Sequence, residues 1–130
     1  MLKTYLAVMA GGAIGTALRM AISTWVVAKY GETFPFGTLL VNASGSFGIG
    51  LFAALTGPDG VFLTAPLVRQ IVMIGVLGGY TTFSSFSLQT LNLCAEGEWL
   101  RGSLNVIFSV ALCLGAVWLG HVCAALFAPR

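Results

Sequence analysis

Charged residues divide this chain into four long apolar stretches. They run over about residues 4–28, 36–56, 67–93 and 102–127, and the first is interrupted only by Arg19. Each is close to or longer than the roughly 20 apolar residues that a bilayer-crossing helix needs. The polar punctuation between them is short. "KYGETFPFG" carries Gly31 and Pro35, "TGPDG" reads as a turn, and "CAEGEWLRG" forms the third connection. Trp25, Tyr30 and Trp99 fall at the predicted helix ends, where amphipathic rings favour the headgroup region. The pattern predicts an all-α membrane protein with four transmembrane helices, and residues 1–130 as one transmembrane domain.

Composition agrees. The chain is 58% hydrophobic and 8% charged, with a mean hydropathy of +0.96, whereas soluble domains carry about 25% charged residues. Four spans nearly exhaust 130 residues, which excludes a separate soluble catalytic domain. The first apolar run resembles a signal peptide at its start, but it continues past Arg19 to Ala28 and is read as a retained helix. The six basic residues are scattered, so nothing points to nucleic acid. Cys94, Cys113 and Cys123 have no metal-ligand spacing, and Cys113 and Cys123, in an apolar segment, read as small packing residues.

Four spans put both termini on one side. That side, with the second loop, holds Lys3, Arg69 and Arg130, and the other holds Arg19, Lys29 and Arg101. Orientation normally follows an excess of cytoplasmic Lys and Arg, and here the count is balanced. The expectation is a chain that inserts either way up, and hence an antiparallel homodimer. Arg19 is the weakest member of this count because it lies inside a span.

The acidic residues Glu32, Asp59, Glu96 and Glu98 all fall in loops. A proton-coupled carrier would ordinarily place such a group within the membrane. No Ser/His/Asp or Cys/His arrangement suggests an enzyme, and His121, near the end of the fourth segment, reads as interfacial. The spans nevertheless contain polar stripes. Thr38, Asn42 and Ser46 share one helix face, as do Asn105, Ser109 and Cys113. Each stripe suits either interhelical packing or the wall of a pore. Gly11 and Gly15 form a GxxxG packing face. Arg19 either snorkels to the interface or lines an aqueous vestibule that concentrates anions.

The third segment is the strongest signal. Gly78 and Gly79, followed by Thr81, Thr82, Ser84 and Ser85, make a poor continuous helix. Glycine costs about 1 kcal/mol against alanine in a helix interior, and hydroxyl side chains offer the backbone other partners. The expectation is a helix broken near mid-membrane, which is tolerated only in protein or beside a cavity. Freed carbonyls there suit a cation, and half-helix N-termini suit an anion. Phe83 and Phe86 follow at i, i+3, and aromatic ring edges are electropositive. Edges and an amide along a narrow path can replace water around a small anion without trapping it.

The stretches "GGAIGTALR" (11–19), "PFGTLLVNASGSFGIG" (35–50) and "GVLGGYTTFSSFS" (75–87) resemble the Fluc/CrcB family of fluoride channels. The resemblance covers the whole chain. It implies a dual-topology antiparallel homodimer with two fluoride pathways, in a bacterial inner membrane. It further implies a fluoride path along Asn42, Phe83, Ser84, Ser85, Phe86 and Ser109, with Arg19 at the vestibule. A structural sodium ion would sit at the dimer centre on the backbone carbonyls of Gly78 and Thr81. The chain departs from the family pattern at Ser85, commonly threonine, and at Asn105, tyrosine in some members. The expected function is passive export of fluoride that has entered acidified cells as HF. A small dual-topology multidrug transporter is the alternative, opposed by the missing intramembrane carboxylate. A purely structural membrane subunit is opposed by the break.

Overall fold

The computed structural model describes residues 1–58 and 60–127. Asp59 in the second turn, and Pro129 and Arg130 at the end of the chain, lie outside the described residues. The architecture is entirely helical, with no strand among the described residues. Helix α1 spans Leu2–Tyr30 and α2 spans Phe36–Leu55. Helix α3 covers 66–80 and changes character along its length. It opens α-helical at Pro66–Gln70, becomes π-helical at Ile71–Leu77 and closes α-helical at Gly78–Tyr80. Helix α4 is Phe83–Ala95 and α5 is Trp99–Ala124, ending in a 3₁₀ turn at Ala125–Phe127. The last span thus starts at Trp99 rather than near residue 102.

Four of the resulting rods, Leu2–Tyr30, Phe36–Leu55, Pro66–Ala95 and Trp99–Phe127, are long and apolar enough to cross a membrane. Even the shortest, at 20 residues, measures about 30 Å at 1.5 Å per residue, the thickness of a hydrocarbon core. The chain is a multi-pass membrane protein. Its large apolar side chains accordingly point outward, as Tyr5, Met9, Ile14, Leu91, Ile107 and Trp118 do.

What is buried is mostly small. Lipid tails are as apolar as leucine, so membrane helices associate through close packing and hydrogen bonds. Gly11 and Gly12 of α1 lie against Gly75 and Gly79 of α3, and Gly15 lies against the backbone of Val76 and Tyr80. A Cβ on Gly11 would come within 2.9 Å of the Ile71 carbonyl, and one on Gly79 within 2.6 Å of the Gly12 carbonyl. A Cβ on Gly15 would run into the Val76 carbonyl. The two backbones therefore touch, which only glycine permits. Between α2 and α5, Gly50 abuts the Val117 carbonyl and Gly120 the Phe47 carbonyl.

Loops and ends are pinned by a few specific contacts. Gly31 and Gly97 carry positive φ, 76° and 81°, the left-handed geometry that glycine adopts most easily after a helix. The Arg69 guanidinium donates to the Thr56 carbonyl and, at 2.8 Å, to its hydroxyl. A positive charge therefore meets the C-terminus of α2, where the helix dipole welcomes it. Lys29 Nζ lies 5.2 Å from the Trp25 ring and 5.3 Å from Tyr30, forming an interfacial anchor. The exposed Glu98–Arg101 pair, at 3.3 Å, adds little.

Candidate functional site

Near the middle of the 30-residue span Pro66–Ala95, two residues leave helical geometry. Thr81 has ψ 157°, and Thr82 has φ −153° and ψ 108°. The Thr81 N–H and hydroxyl still donate to the Leu77 carbonyl, each at 3.0 Å. The Thr82 N–H instead donates to Asn42 Oδ1 at 2.7 Å, and its carbonyl accepts from Asn42 Nδ2 at 3.0 Å. Carbonyls just before the interruption lose their usual donors four residues ahead and find others. Thr16 Oγ1 donates to Gly79 O and Arg19 Nη1 to Thr81 O, each at 3.4 Å.

The chain re-enters a helix through a hydroxyl cap. Thr82 Oγ1 accepts from the Ser85 N–H at 3.2 Å and donates to Ser85 Oγ at 3.0 Å. Threonine suits this position because its oxygen satisfies an N–H that has no partner within the helix. The electropositive N-terminus of α4 therefore begins inside the bundle.

Beside the interruption opens a cleft of about 380 Å³. Its walls include Asn42, Gly78, Thr81, Phe83, Phe86 and Ser109, with Gly45, Ser46, Thr82 and Cys113. No acidic or basic side chain is among its described lining residues. Phe86 is 8% exposed and Phe83 is 75% exposed. Their rings lie 5.2 Å apart, tilted by 53°. The cleft is thus mostly apolar, with an amide and hydroxyls as its polar features and two aromatic rings in its wall.

Other residues singled out from the sequence lie elsewhere. Ser84 and Ser85 do not line the cleft; their hydroxyls gather on Thr82 Oγ1 at 3.3 and 3.0 Å. Arg19 reaches the interruption from α1 and likewise stands outside the lining. Asn105 is 2% exposed. Its Nδ2 donates to Thr90 Oγ1 at 2.8 Å, Thr90 donates on to the Phe86 carbonyl at 2.8 Å, and Ser109 leans on Asn105 Oδ1 at 3.5 Å. It joins α5 to α4 behind Phe86. Thr38, one turn before Asn42, borders a second cavity of about 350 Å³ with Ser23, Glu32, Gln89, Asn92 and Glu96. The polar stripe on α2 therefore runs from one cavity to the other.

Sequence reasoning passed over Thr82 as a site residue. Its signal was a hydroxyl three residues ahead of another, at the first position after a glycine pair where a helix can restart.

The Gly78 carbonyl suits a cation by its donor chemistry, whereas the Thr81 carbonyl already accepts from Arg19 Nη1 at 3.4 Å. The turn of the Thr82 N–H toward Asn42 removes the helical donor of the Gly78 carbonyl. No bulk overhangs Gly78, where an added Cβ would meet only Met73 O, at 3.6 Å. Uncharged carbonyl oxygens at an unwound turn suit a monovalent cation such as sodium. Among the described residues no group of three or more His, Cys, Asp or Glu stands ready to hold a metal.

A model of the family described as "CrcB-like protein, Camphor Resistance (CrcB)" matches residues 6–121. The chain belongs to the CrcB family. It is 57% identical over 123 residues to the "Fluoride-specific ion channel FluC" of Opitutus terrae, covering 95% of this chain and 93% of that relative. A protein of the same name from Rhodospirillum rubrum is 56% identical over 123 residues, 95% of each chain. The one from Shewanella baltica is 44% identical over 120 residues, covering 92% of this chain and 94% of the relative. The three stretches quoted from the sequence all lie within the matched residues.

Proposed function

We propose that this CrcB protein is a fluoride-selective channel, not an enzyme, which lets fluoride leave the cell passively across a bacterial inner membrane. The observation that carries the reading is the cleft. It gathers the Asn42 amide, the Phe83 and Phe86 rings and the Ser109 hydroxyl beside a helix N-terminus, in a chain 57% identical to a relative named as a fluoride channel.

The chemistry fits a small, strongly hydrated anion. An amide N–H, a hydroxyl and positive ring edges replace lost water. None of them carries a full charge, so the ion is held weakly enough to leave. Ser84 and Ser85 extend the polar track at the cap of α4. Arg19 contributes a positive field from outside the cleft and raises the local anion concentration.

The cleft is open on one side in a single chain, with Phe83 and Gly78 exposed. Polar backbone at membrane depth is tolerated only where protein or a water-filled cavity covers it. This supports a second, antiparallel copy across the opening, which the balanced Lys/Arg count favours. Gly78 and Thr81 carbonyls from both copies would then hold a structural sodium ion at the dimer centre. When bound, that ion would supply a fixed positive charge to those carbonyls and would not itself be transported.

The test is efflux from liposomes loaded with potassium fluoride or potassium chloride and opened to potassium by valinomycin, with no proton gradient. Fluoride is expected to leave far faster than chloride. Equal rates for the two anions would overturn the selectivity.

A further inference from the structure

We infer that Asn42 is a backbone staple: its side-chain amide fixes the interruption of the third span and is itself locked in one orientation, with one N–H of Nδ2 left unengaged beside the cleft. This goes beyond the channel reading and does not depend on it.

The staple has two points. Asn42 Oδ1 accepts from the Thr82 N–H at 2.7 Å, and Asn42 Nδ2 donates to the Thr82 carbonyl at 3.0 Å. A carboxamide carries the same donor and acceptor as a peptide group. The side chain therefore does for Thr82 what a neighbouring strand does for an extended residue. Without it, both backbone groups of Thr82 would stand unpaired in a span, where water is scarce. Thr82 is buried, 8% exposed.

The consequence travels along α4. Once the Thr82 backbone is fixed, its hydroxyl is in place to accept from the Ser85 N–H. That cap sets where α4 begins, and hence where Phe83 and Phe86 stand. Asn42 is in this sense a positioning residue for both rings, acting from 40 residues away.

The staple also dictates polarity. Exchanging the oxygen and nitrogen of the amide would set a donor against the Thr82 N–H and an acceptor against its carbonyl. Both contacts would turn repulsive, so the amide has one orientation. Oδ1 is turned to the backbone and engages one of its two lone pairs there. Of the two hydrogens on Nδ2, one is held as well, and the other is a free donor. Asn42 lines the cleft, so the group it offers there suits an anion. An unconstrained amide would offer its oxygen to a cation equally well.

The experiment reads the Thr82 amide directly. The full chain, labelled with ¹⁵N-threonine, is followed by NMR hydrogen exchange, the Thr82 resonance being assigned by its loss in Thr82→Ser. In Asn42→Leu, Thr82 exchange is expected to speed up about tenfold, the worth of one hydrogen bond, while Thr90 within α4 stays slow. In Asn42→Asp an oxygen still accepts from the Thr82 N–H. Its other oxygen meets the Thr82 carbonyl where Nδ2 donated, so exchange should rise less than in Asn42→Leu, while fluoride efflux falls to the level of empty vesicles because the donor is gone. Unchanged Thr82 exchange in Asn42→Leu overturns the staple. So does exchange in Asn42→Asp as fast as in Asn42→Leu, or a rise shared equally by Thr90. If Asn42→Leu fails to fold, the Asn42→Asp arm decides alone: a protected Thr82 supports the staple and an unprotected one rejects it. Loss of fluoride efflux from the parent protein would sink the channel reading and leave the exchange result untouched.

Discussion

The two halves of the third span are held in the bundle by different means. Helix α3 lies on α1 through glycines, backbone against backbone, so that Gly75 and Gly79 meet Gly11 and Gly12. Helix α4 is held by side-chain hydrogen bonds, Asn105 to Thr90 from α5 and Asn42 to Thr82 from α2. The first means requires side chains to be missing, and the second requires polar ones to be present. The interruption at Thr81–Thr82 falls where one gives way to the other. A glycine face fixes distance and is indifferent to polarity. A hydrogen-bonded face fixes orientation and places donors. The span uses the first for rigidity and the second beside the cleft.

The largest effect is expected on the glycine side. Gly15→Ala places a methyl group against the Val76 carbonyl, and backbone cannot step aside as a side chain can. Overpacking of this kind costs about 3 kcal/mol or more. The folded fraction in detergent, followed by size exclusion and thermal scanning, should fall sharply. Gly12→Ala is the contrast, because its Cβ would lie 3.9 Å from the nearest atom, the Gly75 carbonyl oxygen. That variant should be neutral or stabilised by up to about 1 kcal/mol, alanine being the better helix former. Equal damage from both would show that the α1–α3 contact is not a backbone contact.

A middle-sized effect is expected at the rings. Phe83→Ile and Phe86→Ile should each lower fluoride efflux about 2- to 10-fold, the range for losing an aromatic edge contact. They should differ in stability. Phe86 is buried and its replacement should cost about 1 kcal/mol, while the exposed Phe83 should be replaced with little change in the melting temperature. Unchanged efflux in both would remove the rings from the path.

The smallest effect is expected behind the cleft. Asn105→Leu keeps volume and removes the bonds to Thr90 and Ser109. A side-chain hydrogen bond between membrane helices is worth about 0.6 kcal/mol on average. The melting temperature should drop slightly and efflux by less than the phenylalanine variants. A loss as large as that of Gly15→Ala would mean that hydrogen bonding, not glycine packing, dominates the bundle.

Much of this was legible in the chain. Hydropathy is local, so four spans and their loops follow from residue order alone, and so do the CrcB motifs. A glycine pair followed by hydroxyls marks a weak point in a helix wherever it folds, because propensity acts on neighbours. The contacts across the bundle were not legible. Ser84 and Ser85 read from the sequence as parts of a polar track, but nothing in residue order shows that both hydroxyls meet the cap oxygen of Thr82. Arg19 reads from the sequence as a span residue that snorkels or lines a vestibule, but its bond to the Thr81 carbonyl needed the fold. The π-helical turn at Ile71–Leu77 has no signature in composition.

The sequence by itself determined that the chain crosses a membrane four times, where its third span is weak and which family it joins. Only the tertiary structure decided that Asn42 meets Thr82, that Gly15 meets Val76 and that Asn105 stands behind Phe86. The physical reason is rotation and height. A helix offers several faces with similar small and polar residues, and which one turns inward is set by backbones that approach each other only after every span is in place.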